Sequence, residues 1–428
     1  MNVAVIGGGY AGMAAAVTLA GRGTPVTVFE AARTLGGRAR RVEYRDTALD
    51  NGLHILVGAY GETLRLMREV GADPERLLLR LPLTWRIHGR FSLAAARLPA
   101  PLHLLAGLAT ARGAPLAERL AAARFMLRMR RQGYVLPQDM TVASLLESQS
   151  QSARMTRLLW QPLCVSALNT PPRAASAQVF LNVLRDGLDA GRAASDLLLP
   201  RADLSRLFPE PAAEYVTAHG GSVLTGQRVT AIDESGGGFS VRCASGEQTF
   251  THVICALPPY HAGAFLVGIS ALAEAAEAVE CLAYQPIYSV YLGYPPAVRL
   301  PHPMLGFDNA LLQWAFDRGA LSGQHGVIGS VISAEGPHQD LAQEELGRLV
   351  HQELRQQLGM LPEPLWCRVI AEKRATFACT PGLRRPASRT PLRNFLLAGD
   401  YVASDYPGTL ESAVRSGIGA ARVILGTA

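Results

Sequence analysis

The strongest constraint on the fold is a glycine-rich turn that directly follows a short apolar stretch at the start of the chain. Residues 3 to 6, VAVI, predict a buried parallel strand, and GGGYAG then places Gly7, Gly9 and Gly12 in the spacing G-x-G-x-x-G. Glycine permits the tight turn and lets the backbone approach a pyrophosphate, whose charge meets the positive end of the next helix. Because the chain has 42 glycines, the spacing alone is weak evidence and the flanking sequence has to support it.

The sequence after this turn supports a dinucleotide-binding unit. Ala16 is small where the helix must pack on the strand, Gly23 ends the helix, and PVTVFE predicts a second strand with Glu30 at its end. A carboxylate at that place accepts hydrogen bonds from a ribose hydroxyl. We therefore predict an α/β fold with a Rossmann-like domain, in which Glu30 and Ala31 lie beside the adenosine of a dinucleotide.

A second glycine motif points to a particular dinucleotide. In LGGRAR, Gly36, Gly37 and Arg38 follow closely after the second strand. This motif resembles the one found in the superfamily of FAD-binding amine oxidases and carotenoid desaturases. The resemblance implies that the loop lies along the diphosphate of FAD, where Arg38 supplies a cation and hydrogen-bond donors to phosphate oxygens. FAD is therefore the expected cofactor, and a basic surface turn is the alternative.

The C-terminal region carries the second half of the expected cofactor site. NFLLAGDYVASDYPGTLESAVRSGIGAARVIL predicts an apolar strand, a loop and an amphipathic helix. In the superfamily that it resembles, the acid of Gly399–Asp400 hydrogen-bonds the ribityl chain, and the following helix directs its N-terminus at the flavin. Thr409, Leu410 and Glu411 would form its first turn, where backbone N–H groups stabilise negative charge. The two ends of the chain are thus expected to share one cofactor.

The middle of the chain predicts how two domains are interleaved. Residues 220 to 259 alternate apolar and polar residues in short strands and resemble the segment that completes the FAD domain, with Val229 at the adenine. A plain β-meander is the alternative. We expect an FAD-binding domain interleaved with an α+β substrate-binding domain. The first takes residues 1–75, 201–265 and 386–428, and the second takes residues 76–200 and 266–385.

Three stretches resemble narrower groups within the superfamily. Residues 51–71, NGLHILVGAYGETLRLMREVG, and residues 371–386 resemble the plant-type phytoene and zeta-carotene desaturases. Residues 158–188, LLWQPLCVSALNTPPRAASAQVFLNVLRDGL, resemble the hydroxysqualene dehydroxylases of bacterial hopanoid pathways. The resemblance covers essentially the whole chain. It implies a flavoenzyme in which reduced FAD replaces the hydroxyl group of hydroxysqualene with hydride, giving squalene.

Two other functions are compatible with the same FAD motifs. A phytoene-type desaturase or related flavin oxidase of an isoprenoid would run the flavin in the oxidative direction. A carrier of lipids or prenylated proteins, such as the Rab escort-type proteins, shares the fold without flavin chemistry. Intact Gly37, Arg38 and Asp400 favour an enzyme over a carrier.

The implied dehydroxylation requires a proton donor, because hydroxide is a poor leaving group. His54 beside Asp50 is a candidate as an imidazolium. We favour a structural or cofactor role for His54, because the desaturases carry the same GLHI sequence. Asn169 before TPP is typical of a turn cap, and adjacent Arg185 and Asp186 are typical of a surface pair. The donors considered are His54, Asp50, Tyr60, Asp405, Tyr406, Asn169, Arg185 and Asp186.

Composition excludes some partners and indicates a compartment. The formal net charge of +6 comes from basic residues spread along the chain, without the basic and aromatic clusters that bind nucleic acid. Six scattered cysteines form no CxxC pair, which favours a reducing compartment and predicts no metal site. The start of the chain shows no signal-peptide pattern. We therefore expect a cytoplasmic protein that binds no nucleic acid.

The hydrophobic isoprenoid substrate implies contact with a membrane. A long hydrocarbon gains ~0.8 kcal/mol per CH₂ moved out of water, so it has to be taken from the bilayer. We expect a peripheral protein on the inner face of the bacterial cytoplasmic membrane, docked through residues 91–133, and a separate electron donor to the flavin. A core helix is the alternative for part of this range, since Phe125 falls opposite Leu120. The apolar helical stripe consists of Leu116, Leu120, Ala123 and Leu127.

Overall fold

A computed structural model describes residues 1–427. Its strands are numbered in chain order. They are β1 Val3–Ile6, β2 Val26–Glu30, β3 Arg41–Tyr44, β4 Thr47–Asp50, β5 Leu56–Val57, β6 Leu78–Leu81, β7 Thr84–Ile87, β8 Phe91–Ala94, β9 Leu197–Pro200, β10 Ser222–Thr225, β11 Val229–Ser235, β12 Gly238–Cys243, β13 Gly246–Phe250, β14 His252–Cys255, β15 Tyr284–Gly293, β16 Met304–Gly306, β17 Trp314–Asp317, β18 Val327–Ser333, β19 Trp366–Phe377 and β20 Phe395–Leu397.

The helices are likewise numbered in chain order. They are α1 Tyr10–Ala20, α2 Gly61–Glu69, α3 Pro74–Leu77, α4 Leu102–Thr110, α5 Leu116–Arg131, α6 Val142–Ser148, α7 Ala153–Met155, α8 Gln161–Leu168, α9 Ala177–Leu184, α10 Leu204–Leu207, α11 Pro209–Ala218, α12 Pro259–Leu266, α13 Ala273–Glu280, α14 Arg318–Ser322, α15 Gln343–Leu358 and α16 Leu410–Leu425. Two five-residue π-helical turns, Thr156–Trp160 and Arg185–Asp189, directly precede α8 and follow α9.

A five-stranded parallel sheet organises the cofactor half of the molecule, in the order β10-β2-β1-β14-β20. Its central strands are almost continuous runs of buried apolar residues, as expected for a parallel sheet covered on both faces. Helix α1 packs against α11 and α16. Strand order reverses at β1, so the loops after β1, β2, β14 and β20 meet at one edge, where α/β sheets bind ligands.

A seven-stranded sheet organises the other half, in the order β19-β15-β18-β17-β16-β7-β8. Its pairs are antiparallel except β16 with β7. The long strands β15 and β19 lie at one side, and α15 packs on both. The predicted α/β class with an added mixed domain is confirmed by this architecture.

Small sheets connect the two halves. Strand β5 pairs with β9, and β9 also pairs with β6, so this sheet joins a strand from the 1–75 range to strands from the 76–200 range. The three-stranded sheet β11-β12-β13 is antiparallel and leads directly into β14. Strand β14 is followed by a turn and helix α12.

Helices α4 and α5 form a hairpin in which the first two residues of the expected apolar stripe are exposed. Helix α5 buries the opposite set of side chains, which includes Phe125 and Met126, and leaves Leu116 and Leu120 56% and 43% exposed. Helix α5 therefore packs in the core through the face that carries Phe125, as the core-helix alternative expected, while Ala123 and Leu127 of the stripe are half-buried. The large aromatic ring at position 125 decides which face packs inward, because burying it removes more apolar surface from water.

Candidate functional site

The two glycine motifs lie against each other at the carboxyl edge of the parallel sheet. Gly36 pairs with Gly9 in a β-bridge, and its N–H donates to the Gly8 carbonyl at 2.9 Å. A Cβ added to Gly37 would lie 3.3 Å from the Gly9 Cα, and one added to Gly12 would overlap the Gly7 carbonyl oxygen. These loops approach closely because glycine occupies the contact positions, as a diphosphate cradle requires.

The N-terminus of α1 is free to bind an anion. Gly9 is its N-cap, no side chain caps it, and its first turn carries no acidic residue. Glu30, at the end of β2, accepts hydrogen bonds from the Gly8 and Ala32 N–H groups, each at 2.7 Å. The carboxylate is thus fixed beside the glycine loop, with exposed Ala31 next to it. This arrangement fits a dinucleotide whose phosphates meet α1 and whose ribose meets Glu30.

Arg38 and Asp400 join the two ends of the chain. An Arg38 guanidinium nitrogen donates to Asp400 Oδ1 at 2.5 Å, and another donates to the Ala375 carbonyl at 2.7 Å. Next to this pair, the buried Tyr401 hydroxyl has no hydrogen-bond partner within the described chain. An orphaned hydroxyl beside a cation and an acid fits a polar ligand with several oxygens, as the ribityl and diphosphate groups of FAD provide.

The helix expected to face the flavin begins as predicted. Thr409 is the N-cap of α16, and its hydroxyl accepts from the Ser412 N–H at 3.2 Å. Leu410 is the first helical residue. Gly399 has φ 157° and donates its N–H to the Ser416 hydroxyl at 2.8 Å, which sets the Asp400 loop on the helix. Val229 is buried as the first residue of β11.

Glu411 has a structural role that was not foreseen. Its carboxylate is buried and accepts from the Glu62 N–H and from the N–H and hydroxyl of Thr63, at 2.7 to 3.1 Å. It therefore caps the N-terminus of α2 and bonds to Arg415 within α16 at 2.7 Å. This contact fixes the first turn of α16 against the segment that follows Tyr60.

His54 lies near Arg38, but it does not pair with Asp50. Its Nδ1 lies 2.8 Å from the Gly52 carbonyl, which makes Nδ1 the protonated nitrogen. Burial lowers the pKa of His54, and Arg38 adds to this effect while the bond to Gly52 opposes it. A neutral imidazole whose Nδ1–H is donated to the Gly52 carbonyl is a poor acid. The geometry therefore supports the structural or cofactor role rather than the proton donor.

Asp50 is held by other partners. Oδ1 accepts from the Leu204 N–H at 2.8 Å, and Oδ2 lies 3.5 Å from an Arg318 nitrogen that is equally buried. The Tyr291 hydroxyl donates to the Asp50 carbonyl at 2.8 Å. The less favoured possibility of an Asp50–His54 pair does not occur in this geometry, because β4 directs the carboxylate to α10 and α14. Asp50 thus ties β4 to α10, to α14 and to β15 of the seven-stranded sheet.

The other two predicted donors lie in different surroundings. Tyr60 is the N-cap residue of α2, and burial and the Glu411 charge raise its pKa, while Thr409 opposes. Asp405 is exposed, and its backbone carbonyl, rather than its carboxylate, accepts a hydrogen bond from Asn182 at 3.0 Å. Tyr60 is the one of this pair that borders the start of α16.

Residues 158–188 contact the site through side chains whose tertiary contacts the sequence did not predict. Asn169 caps α8 with φ 45°, as expected for a turn cap, and its amide also donates to Thr376 at 3.0 Å and accepts from the Ala334 N–H at 2.9 Å. Arg185 bonds to Asp186 at 2.7 Å. Asn182, which had no distinguishing pattern in the sequence, holds the loop between β20 and α16.

Aromatic and charged residues from three elements complete the surroundings of Arg38 and Asp400. Tyr260 on α12 and Tyr284 on β15 meet edge to face at 5.8 Å, and the Arg374 guanidinium lies 4.6 Å from the centre of the Tyr260 ring. Burial raises the pKa of both tyrosines, and the Arg38 charge opposes this. Only the fold brings them together, so no local sequence signal identifies them. Residues 1–427 contain no cluster of three or more His, Cys, Asp or Glu side chains suited to a metal ion.

This fold and this site define a nucleotide-cofactor-binding oxidoreductase of the Rossmann type, in which both ends of the chain form one cofactor cleft. The chain belongs to the flavin containing amine oxidoreductase family, whose model matches residues 10–425. An FAD-dependent oxidoreductase, as predicted from the sequence, is thereby confirmed.

Similar proteins fall into two groups of curated relatives. The chain is 29% identical to a hydroxysqualene dehydroxylase of Rhodopseudomonas palustris and 27% identical to one of Zymomonas mobilis, with at least 98% of each chain covered. It is 25% identical to a zeta-carotene desaturase of Capsicum annuum over 97% of this chain and 79% of the relative.

An oxidoreductase of Methanosarcina mazei shares the fold, with a TM-score of 0.78, 16% identity and coverage of 98% and 99% of the two chains.

Proposed function

We propose that this protein is an FAD-dependent hydroxysqualene dehydroxylase that forms squalene. The observation that carries the proposal is the full-length similarity to curated hydroxysqualene dehydroxylases, which includes the substrate segments and not the FAD motifs alone. The contact between residues 158–188 and the loop after β20 supports it, because the segment that most resembles those enzymes touches the loop that leads to the helix predicted to face the flavin.

The reaction replaces a C–O bond with a C–H bond. The hydroxyl leaves with a proton as water, and the allylic carbon receives hydride. Reduced FAD, when bound, supplies that hydride. Arg38 and Asp400 would hold the polar part of the cofactor, and the N-terminus of α16 would stabilise negative charge on it. The substrate itself offers one hydroxyl, so orientation depends on apolar contacts with the substrate domain.

An anaerobic single turnover tests this function. The bound flavin is photoreduced, hydroxysqualene is added in detergent, and flavin reoxidation is followed while the extract is analysed for squalene. Stoichiometric squalene with reoxidation is expected. A reduced flavin that ignores hydroxysqualene would contradict the proposal, and a protein that purifies without flavin would favour the carrier.

A carotenoid-type desaturase is the second candidate, favoured by the similarity to zeta-carotene desaturases. The same preparation distinguishes it. Oxidised enzyme bleached by phytoene or another polyene under anaerobic conditions would assign the chain to the desaturases. An electron donor to the flavin is required for the dehydroxylase, and we expect a separate reductase or transient contact with NAD(P)H.

We propose that the α4–α5 hairpin docks on a membrane surface. Leucines exposed by 42 to 56% lie on the hairpin and the loop before it, whereas no helix within residues 1–427 is long and apolar enough to cross a bilayer. Exposed arginines accompany them and suit anionic headgroups. The leucines are Leu98, Leu102, Leu116 and Leu120. The arginines are Arg97, Arg112, Arg124, Arg128, Arg130 and Arg131.

Vesicle sedimentation tests this surface. Replacing Leu116 and Leu120 with serine is expected to release the protein from vesicles that contain anionic phospholipid, while turnover in detergent is retained. Val267→Ser is the matched control, because Val267 is 62% exposed on another part of the molecule. Equal binding of both variants would contradict docking through α5. We propose the inner face of the cytoplasmic membrane as the surface that this hairpin meets.

A further inference from the structure

The loop between β20 and α16 depends on another segment for its shape. Residues 400–408 begin with Asp400 and end directly before the N-cap residue Thr409, so this loop connects two groups that are predicted to face FAD. In the described part of the chain, no backbone hydrogen bond joins two residues of the loop. The Ala403 N–H donates instead to the carbonyl of Pro386 at 2.9 Å. Because polar backbone groups away from water need partners, the segment around Pro386 has to supply them.

One side chain of that segment, Arg385, contacts the loop at three points. Its guanidinium donates to the carbonyl oxygens of Tyr406, at 3.0 Å, and of Ser404. A longer contact of 3.5 Å reaches the carbonyl oxygen of Asp400. A guanidinium can serve several acceptors because its donors point outward from a rigid plane, whereas a lysine ammonium is a point charge on a flexible stem. The path of the loop thus follows the orientation of one planar group.

Arg385 is held in place and does not pair with an acid. Its guanidinium carbon lies 5.0 Å from the centre of the Phe377 ring, which is buried at the end of β19. The acceptors that it meets within residues 1–427 are all uncharged, namely three backbone carbonyls and the Ser404 hydroxyl. The function of Arg385 is therefore to order this loop rather than to neutralise a carboxylate.

The loop held by Arg385 presents the Asp400 carboxylate to Arg38. Oδ1 of Asp400 accepts from Arg38 at 2.5 Å. Oδ2 lies beside the other end of the loop, since a Cβ added to Gly408 would come within 3.1 Å of it and within 3.4 Å of the Phe377 ring. The first and last residues of the loop thus meet beside the ring that Arg385 contacts. A shift of Arg385 would displace both ends together, because regions packed this closely transmit strain.

We propose that Arg385 is a positioning residue for FAD. It acts through the loop of residues 400–408, by setting the Asp400 carboxylate and the N-terminus of α16 in fixed relative positions for the ribityl chain and the flavin ring. Asn182 supports the same loop from another element, through the carbonyl of Asp405. The proposal concerns the cofactor alone and goes beyond the proposed function, so it applies equally to a dehydroxylase and to a desaturase.

Titration of FAD-free protein with FAD, followed by flavin fluorescence, tests this role. Arg385→Lys keeps the charge and loses the planar donors, and Arg385→Ala loses both. Each is expected to weaken FAD binding at least about tenfold, the size expected from losing a hydrogen bond to a charged group. Arg384→Ala is the matched control, because Arg384 is the exposed neighbour of Arg385, and it should bind FAD normally. Unchanged affinity in both folded Arg385 variants would overturn the proposal.

Chemical rescue separates positioning from general stability. Guanidinium chloride at millimolar, non-denaturing concentration should restore FAD binding in Arg385→Ala, because the free cation can take the place of the missing group. An equal concentration of sodium chloride should not. A variant that had merely lost stability would be weakened further by guanidinium. Absence of rescue in a folded Arg385→Ala variant would therefore overturn the proposal.

The visible circular dichroism of bound flavin reports its surroundings without any turnover. In Arg385→Lys saturated with FAD, the spectrum is expected to differ from the spectra of the unaltered protein and of Arg384→Ala. An identical spectrum would overturn the proposal, and this variant decides the outcome if Arg385→Ala does not fold. Failure of the proposed function gives a different pattern: the Arg385 variants behave as expected, while the reduced, unaltered protein leaves hydroxysqualene unchanged.

Discussion

Replacing Asp50 with asparagine is expected to flatten the dependence of stability on pH in the weakly acidic range. Burial raises the pKa of Asp50 from 3.8 to about 6, and Arg318 and the Leu204 N–H only partly oppose this. Because the pKa is higher in the folded than in the unfolded chain, the contribution of Asp50 to stability is fully present below pH 3.8. It is lost as the pH rises through 6.

The expected size follows from the same shift. A difference of about two pKa units corresponds to about 3 kcal/mol of unfolding free energy. Linkage places about 2 kcal/mol of this change between roughly pH 4.5 and pH 7. Asparagine does not ionise there, and it retains an oxygen for the Leu204 N–H. Loss of the Arg318 partner lowers the whole curve of the variant and leaves its slope unaffected.

Urea unfolding of the FAD-loaded protein, followed by circular dichroism at several pH values, measures these slopes. The unaltered protein should lose about 2 kcal/mol more than Asp50→Asn as the pH is raised across this range. Asp405→Asn is the control, because Asp405 is exposed, and its slope should match that of the unaltered protein. Parallel curves for Asp50→Asn and the unaltered protein would refute the raised pKa.

Three further outcomes are expected. Gly12→Ala should weaken FAD binding by about 10- to 100-fold, because its Cβ overlaps the Gly7 carbonyl; flavin titration measures this, and Gly419→Ala, which meets no atom within 4 Å, should bind normally. Thr409→Ala should cost about 1 kcal/mol in thermal unfolding, because it loses the N-cap of α16, whereas Thr409→Ser should not. Asp405→Asn should keep its single-turnover rate within about twofold, and a much larger loss would restore this carboxylate as a proton donor.

Local sequence patterns were sufficient to predict the fold around the five-stranded parallel sheet. Three turns of this half need backbone conformations with positive φ, which only glycine adopts at little cost. They are centred on Gly7, Gly36 and Gly399, so residue type and spacing predict the geometry. The helix start at Thr409 is similar, because a hydroxyl N-cap acts within one turn. Their roles toward FAD stay predictions.

The proton donors could not be placed in this way. Asp50 and His54 are four residues apart, yet β4 ends between them and their side chains find partners on different elements. The partners of Asp50, Leu204 and Arg318, lie more than 150 residues away along the chain. The direction of a side chain at the end of a strand depends on tertiary packing, which carries no local pattern.

The leucine spacing of α5 is also insufficient to predict which face of the helix is exposed. This spacing satisfies a core helix and a membrane-facing helix equally. Only the packing of Phe125 and Met126 into the substrate half decides the outcome. Asn182 is an ordinary polar residue in sequence, and its function appears when α9 is placed beside the loop at Asp405.

The bond between Arg38 and Asp400 has a consequence during synthesis on the ribosome. The two residues are 362 positions apart, and ribosomes add about 5 to 20 residues per second. The glycine loops therefore exist for about 20 to 70 s before the acid that completes their site has been made. During that interval β14 has an unpaired edge where β20 will dock, and α1 lacks the cover of α16. A nascent chain of this kind leaves that sheet edge open to association with other chains until its last strand and helix emerge.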